Sequence, residues 1–322
     1  MSQPSDPPRP LPGIASPIAA AVFAGVLVWL TWWAMVTTGR GQRLDALAME
    51  GSHIGAWRID DQADQLLATV SVPMVAAIIA VVLTIGAIRG RLVAGVAAAA
   101  AVTGANVTTQ LLKYRIFDRD DLLGLGGWNG SNTLPSGHTT VAAAALVGLI
   151  LVVPPALRSF TTAVGVLAVS AYGFATLVNQ WHRPSDVTAA ILVACAWGYL
   201  AVAAIRLAEG AGRIRDAAHR PGAISVVLVA LGICGLALSA AAGYLAWDGE
   251  PDTADRTTAL IAYVGGVAAL FGVACGGFGA LLRLLDATRP LPRQWERGQR
   301  ERVELGGIHQ GGTTAAAPAP PG

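Results

Sequence analysis

Residues 187–206 read VTAAILVACAWGYLAVAAIR, and this stretch decides the class of fold. It contains one charged side chain, Arg206, at its very end. A helix needs about 20 mostly apolar residues to cross the hydrocarbon core of a bilayer. The stretch therefore predicts a transmembrane helix, and it directly follows the polar sequence His182-Arg-Pro-Ser-Asp186.

The whole chain has the composition of a multi-pass membrane protein. Hydrophobic residues make up 54% of it and charged residues 13%, whereas soluble domains average about 25% charged residues. We predict an all-α fold, a polytopic bundle of membrane helices. The predicted spans are 17–38, 67–88, 92–112, 138–157, 160–181, 187–206, 222–247 and 257–285.

The spans divide the chain into four parts. Residues 1–16, rich in Pro and polar side chains, are predicted to be disordered, and 17–206 form a six-span core. Residues 207–285 hold two additional spans, and 286–322 form a disordered tail that decays into Gly, Ala and Pro. The net charge of +2 is too small to indicate a nucleic-acid partner.

Orientation follows from the positive charges, which concentrate in cytoplasmic loops of membrane proteins. With a cytoplasmic N-terminus, most of the 22 Lys and Arg residues, including the arginines of the tail, fall on the cytoplasmic side. The chain is then a multi-pass protein of the plasma membrane with both termini in the cytoplasm. The 39–66 segment lies outside, either as an amphipathic helix on the membrane surface or as a solvated loop. Trp29, Trp32 and Trp33 are interpreted as interface anchors.

A first polar motif, Pro135-Ser136-Gly137-His138, opens the fourth span. Ser136 is placed to cap the helix, and Gly137 allows close approach to its backbone. The free N–H groups of a helix N-terminus bind anions such as phosphate, and His138 lies within the first turn. The alternative is a capped helix with an interfacial histidine.

A second motif, His182-Arg-Pro-Ser-Asp186, opens the sixth span. A carboxylate four residues from an imidazole can bond to one ring nitrogen and leave the other free to attack. The alternative is a His-Asp pair that merely caps the helix.

Lys113 and Arg119 follow the third span, close to both motifs in the predicted topology. Their charges would clamp phosphate oxygens. The alternative is a lysine that snorkels to the interface and an arginine paired with a neighbouring aspartate.

Together these blocks resemble the type 2 phosphatidic acid phosphatase superfamily, with its pattern KxxxxxxRP, PSGH and SRxxxxxHxxxD, over roughly residues 67–206. The second block matches fully, and the third matches in its His-xxx-Asp half. In the first block Arg119 comes one residue early and is followed by Asp120 rather than proline. In the third, Ala175 and Thr176 stand where Ser-Arg is expected, and Arg183 is the candidate substitute.

The resemblance implies a lipid phosphatase core in which His182 is the nucleophile and forms a phosphohistidine. Asp186 would orient it and His138 would protonate the leaving oxygen. Lys113, Arg119, Ser136, Gly137 and Arg183 would bind the phosphate. The resemblance implies no metal, and no cofactor is predicted.

The leading hypothesis is a metal-independent phosphatase acting on phosphatidic acid, phosphatidylglycerol phosphate or a polyprenyl phosphate or diphosphate. One alternative is a catalytically impaired member that binds or scaffolds phospholipids, which the missing arginine favours. A transporter is the third possibility, although the two extra spans carry almost no intramembrane charge.

Overall fold

The computed structural model describes residues 13–54, 56–124, 126–209, 222–251 and 253–286. Within these ranges the chain is helical and contains no strand, which confirms the all-α class. The helices are α1 (Ala15–Thr31), α2 (Gly39–Ser52), α3 (Asp60–Leu67), α4 (Val72–Ile88), α5 (Leu92–Leu111), α6 (Gly127–Gly130), α7 (Gly137–Val152), α8 (Pro155–Val178), α9 (Pro184–Glu209), α10 (Ala223–Leu245) and α11 (Arg256–Asp286). The segments for which we predict disorder fall mainly on 1–12 and 287–322, outside the described residues.

Two helices are lengthened at their C-terminal ends by π-helical turns. Trp32–Val36 extends α1 and Leu112–Ile116 extends α5, while a short 3-10 turn spans Ala56–Arg58. In the described ranges six helices are long and apolar enough to cross a membrane, namely the extended α1 and α5 together with α8, α9, α10 and α11. The predicted polytopic bundle is confirmed.

The other two predicted spans do not meet that criterion as single helices. The pair α3 and α4 passes it together but is bent by 62°. The apolar α7 has only 16 residues. It begins at the Ser136 cap and ends at Val152, because Pro154 forces the residue before it into an extended conformation.

The central helix of the bundle is α9. In the most apolar stretch of α9, 78% of the residues are buried. The helix packs against α1, α5, α7 and α11. Ala189, Ala190 and Ala194 are fully buried, and such small side chains let neighbouring helices approach closely. The first turn of α9 therefore lies in the middle of one end of the bundle, which we call the site end.

The two C-terminal helices pack closely against each other. A Cβ on Gly232 of α10 would lie 2.7 Å from the Cα of Gly276 in α11, so the two backbones nearly touch. In turn α11 packs on α8 and α9, with Phe278 and Leu281 fully buried. Thus α11 belongs to the core of the bundle. Helix α10 lies outside the core, because only 17% of the residues in its most apolar stretch are buried.

The segment after α1 folds back onto the site end as α2, which packs against α11. Its Gln42 is fully buried, and Nε2 donates to the carbonyl oxygens of Val36 and Asp120, both at 2.7 Å. Asp45 and Leu47 on the same helix are also buried. This part of the 39–66 segment is therefore a helix with polar side chains buried in protein, not a solvated loop.

The loop after α5 is held by an aromatic contact. Trp32 stacks on Phe117 with ring centroids 4.9 Å apart, and its Nε1 donates to the carbonyl of Asp118 at 3.0 Å. Trp32 therefore has a second role besides the interface anchoring that the sequence indicates. The side chain also fixes the loop that carries Arg119.

Candidate active site

The N-terminus of α7 is capped as the sequence predicts. Ser136 Oγ accepts a hydrogen bond from the Thr139 N–H at 3.4 Å, while the Ser136 N–H donates to the carbonyl of Asp186 at 2.9 Å. The second bond joins the first turns of α7 and α9. A Cβ on Gly137 would meet no atom of the described residues within 4 Å, so this helix end faces open space that an anion can fill.

His182 lies in the turn before α9 and contacts Asp186 in its first turn. Its Nδ1 is 3.1 Å from Asp186 Oδ2, and the two residues are 7% and 1% exposed. The N–H groups of Trp181 and His182 both donate to the carbonyl of Thr176, at 3.0 and 3.2 Å, which fixes the turn. The bond at Nδ1 leaves Nε2 of the same ring for other chemistry.

Asp186 Oδ2 collects two further donors. The Thr133 hydroxyl donates to it at 2.6 Å, and the Arg183 N–H does so at 2.9 Å. Thr133 Oγ1 in turn accepts from Arg183 Nη1 at 2.7 Å. A carboxylate with several donors is stabilised in its charged form and held in one orientation, so Thr133 belongs to the machinery that positions Asp186.

Replacing Thr133 by valine tests this network. We expect Thr133→Val to lower the free energy of unfolding by about 1.5–3 kcal/mol, because a buried carboxylate loses a hydrogen bond. The measurement is thermal unfolding of the purified protein beside Thr257→Val, which changes an exposed threonine at the start of α11. Equal unfolding temperatures for the two variants would show that the Thr133 hydroxyl adds nothing.

His138 is half-buried in the first turn of α7, and its ring lies 5.3 Å from that of Trp181, centroid to centroid. It interacts electrostatically with His182 and Lys113. The two histidines of the motifs therefore face a common region at the site end. Trp181, which the sequence analysis did not single out, forms one wall beside His138.

Lys113 lies in the π-helical turn at the end of α5 and is half-buried. It interacts electrostatically with Asp186 and with His182. Asn132 holds its backbone, because Nδ2 donates to the carbonyl oxygens of Lys113 at 3.0 Å and of Phe117 at 2.9 Å. The loop before α7 thus fixes the lysine-bearing turn.

Arg119 lies in the loop fixed by Trp32 and is partly buried. Its buried Nε finds no hydrogen-bond partner among the described residues. The side chain interacts electrostatically with Arg183 and with the carboxylates of Asp45 and Asp186. A cation held beside a second cation, with an unused N–H, is suited to binding an anion.

Arg183 is the predicted substitute for the missing third-block arginine, and it is buried at 3% exposure. Besides Thr133, its Nη1 reaches the carbonyl of Ser131 at 3.4 Å. Thr176, where the family pattern has arginine, is fully buried and donates to the Gly173 carbonyl at 2.7 Å. Arg183 therefore supports the Asp186 network, and its binding of phosphate stays a prediction.

Asp45 of α2 is a buried carboxylate that the sequence analysis missed. Its Oδ2 makes a short hydrogen bond with the Ser185 hydroxyl, and Oδ1 accepts from the Ser185 N–H at 3.4 Å. Burial raises the pKa of Asp45 to about 6, although the hydrogen bond from Ser185 opposes this. A lone acid in a mixed-charge segment gave no sequence signal for this contact.

Burial also acts on His182. It lowers the pKa of the imidazole below the usual 6.5, and the hydrogen bond and charge of Asp186 oppose the shift only in part. Lys113 and Arg183, both positive, lower the pKa further. The neutral form of His182, in which one ring nitrogen carries a lone pair, is therefore favoured at pH 7.

All eight predicted site residues lie together at the site end of the bundle. Among the described residues, no group of three or more His, Cys, Asp or Glu side chains is arranged to hold a metal ion. Residues 94–209 match the family model described as the PAP2 superfamily. This part of the chain is similar to the PAP2 superfamily.

The PAP2 region runs from α5 to the end of α9 and includes every predicted site residue. Members of this superfamily are generally phosphatases, and the long apolar helices indicate a multi-pass membrane protein. No curated protein and no solved structure matches the chain. The matched region leaves out Asp45, α10 and α11. Asp45 nevertheless bonds to Ser185 of α9, α11 packs against α9, and α10 packs against α11.

Proposed function

We propose that this protein hydrolyses the phosphate monoester or diphosphate of a membrane lipid through a phosphohistidine on His182. The observation that carries the proposal is the buried His182–Asp186 pair beside the open N-terminus of α7. Lys113 and Arg119 add positive charge at the same end of an apolar bundle. A site at the mouth of membrane spans suits a substrate whose head group is polar and whose tail stays among lipids.

In the first step Nε2 of His182 attacks phosphorus. The N–P bond forms while the P–O bond to the leaving group breaks, and His138 gives its proton to the leaving oxygen. In the second step His138, now neutral, takes a proton from water, whose oxygen attacks phosphorus and frees His182 and inorganic phosphate. General acid and base help of this kind contributes about 10²–10⁴ in rate.

The other residues bind and orient. Lys113 and Arg119 hold the non-bridging oxygens, together with the amides of Gly137 and the first turn of α7 that Ser136 caps. Asp186 fixes the tautomer of His182 through Nδ1. These residues complete both steps without a metal ion or a cofactor.

The distribution of Lys and Arg favours a site on the extracytoplasmic side of the plasma membrane, with both termini in the cytoplasm. The substrates that fit are phosphatidic acid, phosphatidylglycerol phosphate and polyprenyl phosphates or diphosphates. These share an anionic phosphate on a long hydrocarbon.

Phosphate release tests the function. The purified protein is incubated with phosphatidic acid, phosphatidylglycerol phosphate or undecaprenyl diphosphate, with a chelator present, beside Arg183→Ala. We expect turnover of at least one lipid despite the chelator, and an acid-labile phosphate on the protein during turnover. Binding without release from any lipid would instead support the scaffold function, which the threonine at position 176 favours.

The pH dependence of kcat/KM is a further expected result. Attack requires neutral His182, and burial lowers its pKa, so the acid limb of the profile, on which activity falls as the pH drops, is centred below 6.5. A profile of phosphate release from pH 4 to 8 measures this limb. An acid limb centred above 6.5 would contradict the role of a buried, neutral histidine.

A further inference from the structure

An apolar cavity of about 760 Å³ lies beside the site, between α1, α2, α9, α10 and α11. Its volume is within the range of about 300–1,000 Å³ that ligand pockets have. Two of its walls, α10 and α11, lie outside the PAP2 region. The phosphate chemistry proposed above uses none of the residues that line it.

The cavity has the depth of one membrane leaflet. Along α11 it runs from Ala262 to Val273, and the eleven helical rises between these residues span about 16 Å. The hydrocarbon core of a bilayer is about 30 Å thick, so this is roughly half of it. Leu236 and Tyr244 on α10 line the cavity and are both exposed, so α10 does not close it off from the surroundings of the bundle.

The charged part of the cavity lining is at one end, which we call the polar end and which lies at the site end of the bundle. Asp45 and Ser185 line it there, and their carboxylate and hydroxyl are hydrogen-bonded to each other. Ser185 is the neighbour of Asp186 in the chain, so the polar end adjoins the proposed catalytic carboxylate. None of the described residues that line the cavity is basic.

This charge pattern selects among lipids. A phosphate head group at the polar end would meet a carboxylate in the lining, whereas the cations that interact with that carboxylate, Arg119 and Arg183, do not line the cavity. Placing an anion against this carboxylate is unfavourable in a site partly shielded from water. A hydroxyl, by contrast, can donate to Asp45. The carboxyl is ionised above a pKa of about 6, so it is an acceptor at neutral pH.

We propose that this cavity binds one chain of an uncharged, hydroxyl-headed lipid, a long-chain lipid alcohol, with its hydroxyl toward Asp45 and Ser185. The proposal deepens the proposed function, because dephosphorylation of a lipid monoester leaves a lipid alcohol. The cavity is thus a place for the released product beside the phosphate site. Binding itself requires no turnover, so the two proposals fail separately.

The test uses the purified full chain and a long-chain alcohol with a diazirine in its hydrocarbon. After photolysis we expect labelling of the cavity-lining segments of α10 and α11. Excess unlabelled alcohol should abolish that labelling. The matching alkyl phosphonate, which resists hydrolysis, should compete poorly. Equal competition by the phosphonate, or labelling spread over all lipid-facing helices, would overturn the proposal.

Two glycine variants make the test local. A Cβ on Gly243 of α10, which lines the cavity, meets no atom of the described residues within 4 Å, so Gly243→Phe adds bulk to the cavity without a clash at Cβ. Gly25 of α1 is equally open but lies outside the lining, and Gly25→Phe is the control. We expect Gly243→Phe to lose most of the labelling and Gly25→Phe to keep it. Equal labelling in two monodisperse variants would overturn the proposal, and competition in the parent protein decides the matter if either variant fails to fold.

Discussion

His182→Ala should abolish phosphate release from every lipid in the panel, with a loss on the order of 10⁴-fold or more in kcat. Alanine removes the only atom proposed to attack phosphorus. The acid-labile phosphate on the protein should disappear with it. Release of inorganic phosphate under single-turnover conditions, with and without acid quenching, measures both effects.

The matched control is His53→Ala, because His53 is an exposed histidine that contacts none of the proposed site residues. It should keep the activity of the parent. A His182→Ala protein that binds lipid and still releases phosphate at more than a few per cent of the parental rate would contradict the proposed nucleophile. His138 would then be the next histidine to test.

The second large effect is expected for Asp186→Asn, on the order of 10⁴-fold in kcat with KM little changed. The substitution keeps the size of the side chain but puts an amide beside Nδ1 of His182, which favours the wrong tautomer. It also removes the negative charge from the group that accepts hydrogen bonds from the Thr133 hydroxyl and the Arg183 N–H. Steady-state kinetics on the best lipid substrate separates kcat from KM.

Asp61→Asn, at an exposed position of α3, is the control for the loss of one negative charge near the membrane. It should leave both constants unchanged. If Asp186→Asn raised KM and spared kcat, Asp186 would help to bind the substrate rather than orient the nucleophile.

The sequence predicted best those structural features that depend only on residues close together in the chain. Apolar runs of about 20 residues predict spans, and Ser136 before the apolar run predicts a helix cap; both features are present. The contact between His182 and Asp186 follows from four-residue spacing across the start of a helix. Such features need no knowledge of how distant helices pack.

Contacts between distant segments could not be predicted in the same way. Asp45 bonds to Ser185, 140 positions away in the chain, and Gln42 reaches the carbonyl of Asp120. Neither residue belongs to a motif, and each became informative only when α2 was seen folded onto the site end. The short length of α7 also went unpredicted, because an apolar run continues beyond the point where Pro154 ends the helix.

The packing of α11 against the start of α9 bears on how the protein is made. A Cβ on Gly266 of α11 would lie 2.5 Å from Pro184 Cγ, so this glycine is seated on the first turn of the central helix. A chain leaves the ribosome from its N-terminus, and α11 is the last helix of the described residues to be synthesised. The nascent protein therefore carries both motifs in the membrane before their surroundings are complete. We expect maturation of the proposed site to be a late event in biogenesis, after insertion of α11.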